Sequence, residues 1–299
     1  MDIAVTGASG LIGTRLTDHL VANGHRVVPL VRTAPAAGTD AIQWDPAAGT
    51  IDAASLEGFD AVVHLAGEGI ANKRWSAEQK RRILDSRVDG TTLLATTLAG
   101  LNRPPAVLLS GSAIGFYGDQ GDTELTEDSP AGDIFLSEVC EAWETASAPA
   151  SEAGIRVAHL RTGIVLDPTG GALGKTLGLF RLGLGGRLGS GRQWWSWIGI
   201  DDEVGAIAFL LDHDISGPVN LTAPNPATNA EYTKVLGRVL GRPTLLPVPS
   251  FGPKLVLGSE LAEQLLFTSA RVLPQVLVDA GYEFVSPDLE GALRKVLAS

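Results

Sequence analysis

The sequence is poor in several residue types, and each scarcity excludes something. It contains one cysteine, Cys140, so no disulfide can close within the chain. That composition fits a reducing compartment and predicts a cytoplasmic protein. Cations are in deficit, with 23 Lys and Arg against 34 Asp and Glu, for a formal net charge of −11. A nucleic-acid binder needs a basic footprint and an anionic membrane attracts one, so neither partner is expected. No apolar run approaches the ~20 residues of a membrane span. The opening "MDIAVTGASGLIG" has no basic region followed by an apolar stretch and reads as a buried strand, not a signal peptide. The five histidines show no metal-ligand spacing, so no metal centre is expected. Tyrosine is scarce as well: Tyr117, Tyr232 and Tyr282 are the only three, and none has Lys four residues later.

What remains is a chain of 299 residues with 44% hydrophobic content, ample for a globular core. Short apolar runs at 3–5, 26–31, 61–66, 106–110 and 155–160 read as buried strands. Helical patterns separate them: Leu11, Ile12, Leu16, Leu20 and Val21 in the first, then about 76–99 and about 134–153. Alternating strands and helices predict an α/β fold, a Rossmann-type doubly wound parallel sheet over residues 1–165. The pattern changes afterwards. Nine glycines lie between Gly170 and Gly191, an aromatic stretch "WWSWIGIDD" leads into a helix near Asp201, and the end reads as short helices and proline-marked turns. A smaller C-terminal α/β substrate domain is expected over 166–299, with a return segment to the first domain around 200–222.

"VTGASGLIG" places Gly7, Gly10 and Gly13 between the first strand and the first helix. Gly7 permits the tight turn, Gly10 lets the backbone approach a pyrophosphate, and Gly13 allows close packing of the helix. The helix N-terminus then presents free N–H groups and a partial positive charge to phosphates. NAD binders place Asp or Glu about 20 residues on, to bond the ribose 2′-hydroxyl. Here Arg32 stands 19 residues after Gly13. An acidic side chain would repel a 2′-phosphate and an arginine would pair with it, so NADP(H) is expected over NAD(H).

The stretch "NKRWSAEQKRRILDSR" carries six cations in an acidic protein. Lys80, Arg81 and Arg82 read as a solvated helix face. Arg87 instead shares a face with Ile83, Gly90, Leu94 and Leu98, the face that should bury. A buried arginine needs an anion, either the cofactor phosphates or an internal carboxylate.

"TGASGLIG", "VVHLAGE", "SRVDGT", "LLSGSAIGFYG" and "LRTGIVL" together resemble the extended short-chain dehydrogenase/reductase superfamily. The later "FRLGLGGRLGSGRQWWSWIGIDD", "APNPATNAEY" and "GRPTLLPVPS" resemble its atypical branch labelled epimerase family protein, which has its own C-terminal domain. The resemblance covers nearly the whole chain and implies an NADP-type cofactor and a substrate cleft between domains. It implies cofactor contacts for Gly7, Ser9, Gly10, Leu11 and Ile12, for Leu65, Ala66 and Gly67 at a strand end, and for Gly163 and Ile164 at another. Arg87 replaces the Asn that usually precedes the V-x-G-T pattern. Ser110 and Ser112 match the serine cluster before the active site, Ser110 as a further cofactor contact and Ser112 as the catalytic one, with one extra residue between that cluster and "YG" that leaves the choice between the two serines open.

Ordinary members use a Tyr to move the substrate proton and a Lys four residues later to lower its pKa. In "FLSEVCEAWE" those places hold Leu136 and Cys140, and a Cys on an apolar helix face is expected to be buried and inert. Ser112 and Tyr117, at the carboxyl end of the fifth strand, become the catalytic candidates. Ser112 would orient the substrate oxygen, and Tyr117 or water would move the proton; Tyr117 has an equal reading as a packing residue. The expected function is an NADP(H)-binding oxidoreductase-like protein acting on a small carbonyl or alcohol. The alternative is an NADP(H)-responsive binding or regulatory protein without turnover. A nucleotide-sugar epimerase ranks third.

Three further features are weighed. "TGGALGKT" falls one glycine short of a P-loop, so a glycine-rich loop over the cleft is expected there instead. Trp194, Trp195 and Trp197 either line a pocket, with Arg161, Lys175 and Arg192, or form interdomain core. His64, inside an apolar strand, is expected to be packed in the core.

Overall fold

The computed structural model describes residues 1–35 and 38–298. Eight strands form one sheet: β1 (Asp2–Thr6), β2 (Arg26–Val31), β3 (Ile42–Asp45), β4 (Thr50–Ile51), β5 (Ala61–His64), β6 (Val107–Ala113), β7 (Arg156–Thr162) and β8 (Gly217–Leu221). Their order is β8-β7-β6-β5-β1-β2-β3-β4, parallel throughout except for the β3–β4 pair. The chain winds outward from β1 in one direction through β2 and in the other through β5. The crevice above β1 and β5 is therefore the topological switch point, where open α/β sheets bind ligands.

Side chains alternate between two cores. On one face Ile3, Val5, Val63, Leu109 and Leu160 pack with Leu16 and Leu20 of helix α1 (Leu11–Ala22). On the other, Ala4, Val62, Leu108 and Val157 pack with Leu94 and Leu98 of helix α2 (Ala77–Ala99). Fully burying each such side chain stabilises the fold by roughly 1.5–3 kcal/mol. Ser76 caps α2, its hydroxyl accepting the Gln79 amide, and Gly24 at φ 82° follows the end of α1.

The helical pattern over 134–153 divides in two: α3 (Phe135–Thr145) and α4 (Ala148–Glu152). Pro149, in the first turn of α4, cannot donate to a preceding carbonyl, so one continuous helix is impossible. The glycine run forms a helix, α5 (Gly171–Arg181), where a loop over the cleft was expected. Leu173, Leu177 and Phe180 recur at helical spacing and are buried, and that burial outweighs the low helix propensity of the glycines. The strands β3 and β4 are too short for the apolar pattern to show them.

Residues 200–221 bring the chain back to the sheet as α6 (Ile200–Asp212) and the edge strand β8. Helix α7 (Asn229–Leu240), closed by a Thr228–Glu231 capping box, and the short helix α8 (Phe251–Leu257) follow. Two-residue strand pairs tie this C-terminal part down, Trp194–Trp195 with Ala227–Thr228 and Arg271–Val272 with Glu124–Leu125. No described helix is long and apolar enough to cross a membrane.

Candidate functional site

The strand ends β1, β2 and β5 build an open cradle. Gly7 sits at φ 69°, and a Cβ there would lie 2.8 Å from the Leu65 carbonyl carbon. A Cβ on Gly13 would overlap Gly7 O, so the third glycine packs the helix against the loop itself. Gly10 is the N-cap of α1 and has no side chain to cap it. The first-turn amides, including those of Leu11 and Ile12, therefore have no intrahelical acceptor and point outward. Ser9 is exposed at the loop tip. Thr6 Oγ1 accepts the amides of Leu65 (3.1 Å) and Ala66 (3.2 Å) and bonds His64 Nδ1 (2.7 Å), which pins the exit of β5 to β1. His64 is fully buried, also bonded to Thr91, and burial followed by the Arg87 charge pushes its pKa down to about 4. It is a packed core histidine.

Two arginines stand near these strand ends, Arg32 after β2 and Arg87 on α2. Arg32 is exposed just past β2 and has no carboxylate in ion-pair range among the described residues. Arg87 is half-buried on α2, beside Gly67. Its Nη1 donates to the carbonyls of Glu68 (3.0 Å) and Ile83 (3.1 Å), and its guanidinium lies 4.8 Å from the Trp143 ring centre. No carboxylate lies in ion-pair contact with it among the described residues; burial draws its pKa down, and the Glu68 charge nearby works against that shift.

The strand ends β6, β7 and β8 are the opposite: a closed polar knot. Glu144 of α3 is held by Arg161 of β7 through two bonds, Nε–Oε1 at 2.8 Å and Nη2–Oε2 at 2.9 Å. Ser112 donates to Glu144 Oε1 at 2.7 Å. Arg161 Nη1 donates to Tyr117 Oη (3.0 Å), and Tyr117 donates to Asn220 Oδ1 (2.7 Å). Asn220 continues the chain, its amide nitrogen bonding Leu273 O and its backbone N–H bonding Glu127. Tyr117 has no exposed surface, and burial pushes its pKa up to about 12. Its hydroxyl donates to Asn220 within the knot, an arrangement that fits the packing reading. Ser110 is also buried, with Oγ unpartnered. Gly163 and Ile164 spend their amides on Leu221 O and Ser196 O, so any contact they make with a cofactor uses other atoms.

Leu136 and Cys140 pack at Gly115, beside this knot. Cys140 Sγ approaches Ala113 O at 3.6 Å, and burial raises its pKa to about 11, so it is no thiolate. Arg161 is buried in the knot and Lys175 and Arg192 are exposed, so the three do not converge on a pocket. Trp195 and Trp197 belong to the core; Trp194 is half-buried and bonds Asp122.

These features of strand, glycine loop and helix agree with known sequences. The sequence model of the NAD dependent epimerase/dehydratase family matches residues 3–222. The chain belongs to that family. A second model, a domain of unknown function (DUF1731), matches residues 248–296. Among family members, epimerase family protein Mb2239 of Mycobacterium bovis is 44% identical over 283 residues, covering 94% of this chain and 93% of its own. Human epimerase family protein SDR39U1 is 38% identical, and each chain is covered completely. The crystal structure of human SDR39U1 (isoform 2) with NADPH superposes with a TM-score of 0.92 at 36% identity, over the whole of both chains. The fold is thus the extended Rossmann fold of this NAD(P)-binding family.

Three residues of the knot escaped the sequence reading: Glu144, Asn220 and Glu127. Glu144 had a signal, since it follows Cys140 by four residues and so shares its helix face. Asn220 and Glu127 had none, because they meet only when β8 joins the sheet.

Proposed function

We propose that the protein binds NADP(H) and, if it turns over, moves a hydride between the nicotinamide and a small carbonyl or alcohol in the cleft beside the knot. The carrying observation is Arg32: an exposed, unpaired guanidinium past β2, where an acidic residue would select NAD. The open cradle fits the dinucleotide. Gly7 leaves room that a side chain would fill, the α1 amides suit the pyrophosphate, and Arg87 keeps donors free beside Gly67. That human SDR39U1 was crystallised with NADPH supports the same reading. When bound, the cofactor supplies hydride exchange at the nicotinamide C4. Ser112 then orients the substrate oxygen, and Glu144, kept in place by Arg161, accepts a proton through Ser112. The proton released in alcohol oxidation would leave by this route. Calorimetric titration with NADPH and NADH tests the reading. Preferential NADPH binding that is lost in Arg32→Ala supports it, and equal binding of both overturns it.

A second reading, an NADP(H)-responsive binder without turnover, is favoured by one feature. The places that usually hold the Tyr and Lys are filled by Leu136 and buried Cys140. Nucleotide-sugar epimerisation remains third, because it depends most on that pair.

A further inference from the structure

The net charge of −11 opposes an anionic surface only if the charge is evenly spread, and it is not. Residues 168–200 contain four cations and no acid, and residues 232–259 repeat this, so all 34 acidic residues lie elsewhere. The two stretches run side by side. Gly183 lies beside Pro243, Gly186 beside Leu246, and Gly189 beside Ser250, with a bridge between Leu188 and Val248. Lys175, Arg181, Arg192 and Arg242 have no carboxylate in ion-pair range among the described residues. Arg187 bonds the carbonyls of Gly189 and Ser190 and has no carboxylate in ion-pair range among the described residues.

Apolar side chains are exposed in the same place. Among the described residues, eight of the twelve exposed large hydrophobics fall within these two stretches. In the first, Lys175, Leu179 and Leu182 share the outer face of α5, opposite buried Leu173, Leu177 and Phe180. In the second, Leu245 is 87% exposed, and α8 buries none of its residues while showing Phe251 and Leu255 to solvent. Arg74 fastens α8 by donating to the carbonyls of Leu255 and Val256, so the face is joined to the loop next to the cradle.

We propose that this face docks on the surface of an anionic phospholipid bilayer. Leucines and a phenylalanine enter the interface while the surrounding lysines and arginines meet lipid phosphates. Charge complementarity selects this occupant. A symmetric pairing of two copies would set the same unpaired cations against each other, at a cost in repulsion.

The test is co-sedimentation of the full chain with vesicles of phosphatidylcholine, with and without phosphatidylglycerol. Binding is expected only with phosphatidylglycerol and should weaken as salt rises. Arg181→Glu with Arg242→Glu should reduce it at least about tenfold, since each cation near such a surface contributes about fivefold. Leu182→Asp with Leu246→Asp should abolish it. Val278→Asp, at an exposed apolar position outside the face, should leave it unchanged. All these positions are exposed, and an unchanged thermal midpoint verifies folding. The proposal is overturned if the native chain ignores phosphatidylglycerol, if both vesicle types bind it equally, or if the face variants bind like the native chain. It is also overturned if the native chain stays off the vesicles and the face variants instead abolish self-association in sedimentation velocity, or binding to an acidic protein.

Discussion

The two halves of the sheet's carboxyl edge use arginine in opposite ways. Over β1, β2 and β5, Arg32 and Arg87 keep donors uncommitted and the α1 amides point outward. Over β6, β7 and β8, Arg161 commits its donors to Glu144, Tyr117 and the Glu127 carbonyl. An unmet donor at an open crevice is a binding site waiting for an anion. A buried network whose donors are committed holds its groups in place, and most of its energy appears only when one member is removed. The comparison teaches that open, uncommitted donors and a closed network of committed ones are separated along one edge, with Ser112 at the border.

Breaking the knot should have the largest effect. Arg161→Met leaves half-buried Glu144 without its arginine and should cost up to about 3–5 kcal/mol. Chemical denaturation would read this, and a midpoint unchanged from the native chain would show that the knot is ornamental. The matching change in the cradle, Arg32→Ala, should leave stability within ~0.5 kcal/mol and weaken NADPH roughly ten- to a hundred-fold. Titration calorimetry on both variants separates the two halves directly. If Arg32→Ala unfolds the chain, or Arg161→Met only weakens NADPH, the contrast is wrong.

Tyr117→Phe is a sharper probe of the border. It removes a buried hydroxyl that serves both Arg161 and Asn220, and should destabilise by about 1–3 kcal/mol. Once an assay exists, its turnover at a temperature where the variant stays folded should match the native chain; a large selective loss in kcat would return Tyr117 to catalysis.

A separate effect is in pH dependence. Glu203 of α6 is buried, bonded to Thr162, and burial raises its pKa to about 8 from the ordinary 4.5. Because the folded pKa lies above the unfolded one, its contribution is fully present below about 4.5 and fades as pH rises through about 8. His64 acts with the opposite sign, its contribution fading as pH falls from 6.5 toward 4. The thermal midpoint should therefore decline between mildly acidic and mildly alkaline pH, and Glu203→Gln should flatten that decline. An equal decline in the variant would place the titration elsewhere.

Much of the cradle was legible in the sequence, because its parts are close along the chain. The glycine triplet, the strand before it, the helix after it and Arg32 all lie within the first 32 residues. Arg87 was legible for a different reason: helical spacing puts it on the burying face, and it is half-buried there beside Gly67. The knot was mostly illegible. Tyr117 and Asn220 are 103 residues apart, and their bond exists only because β8 adds to β7 at the sheet edge. The helix over the glycine run was also hidden, since propensity argues against it and only the apolar surface beneath it decides.

The order of strands and helices, the glycine-rich turn and the absence of any Tyr followed four residues later by Lys follow from the sequence alone, since local spacing and residue type are enough for each. Tertiary structure alone decided which arginine is free and which is committed. It also gathered the cations and exposed leucines of two distant stretches onto one face. Both depend on groups far apart in the chain, and hydrogen bonding and burial act on distance in space rather than distance in sequence.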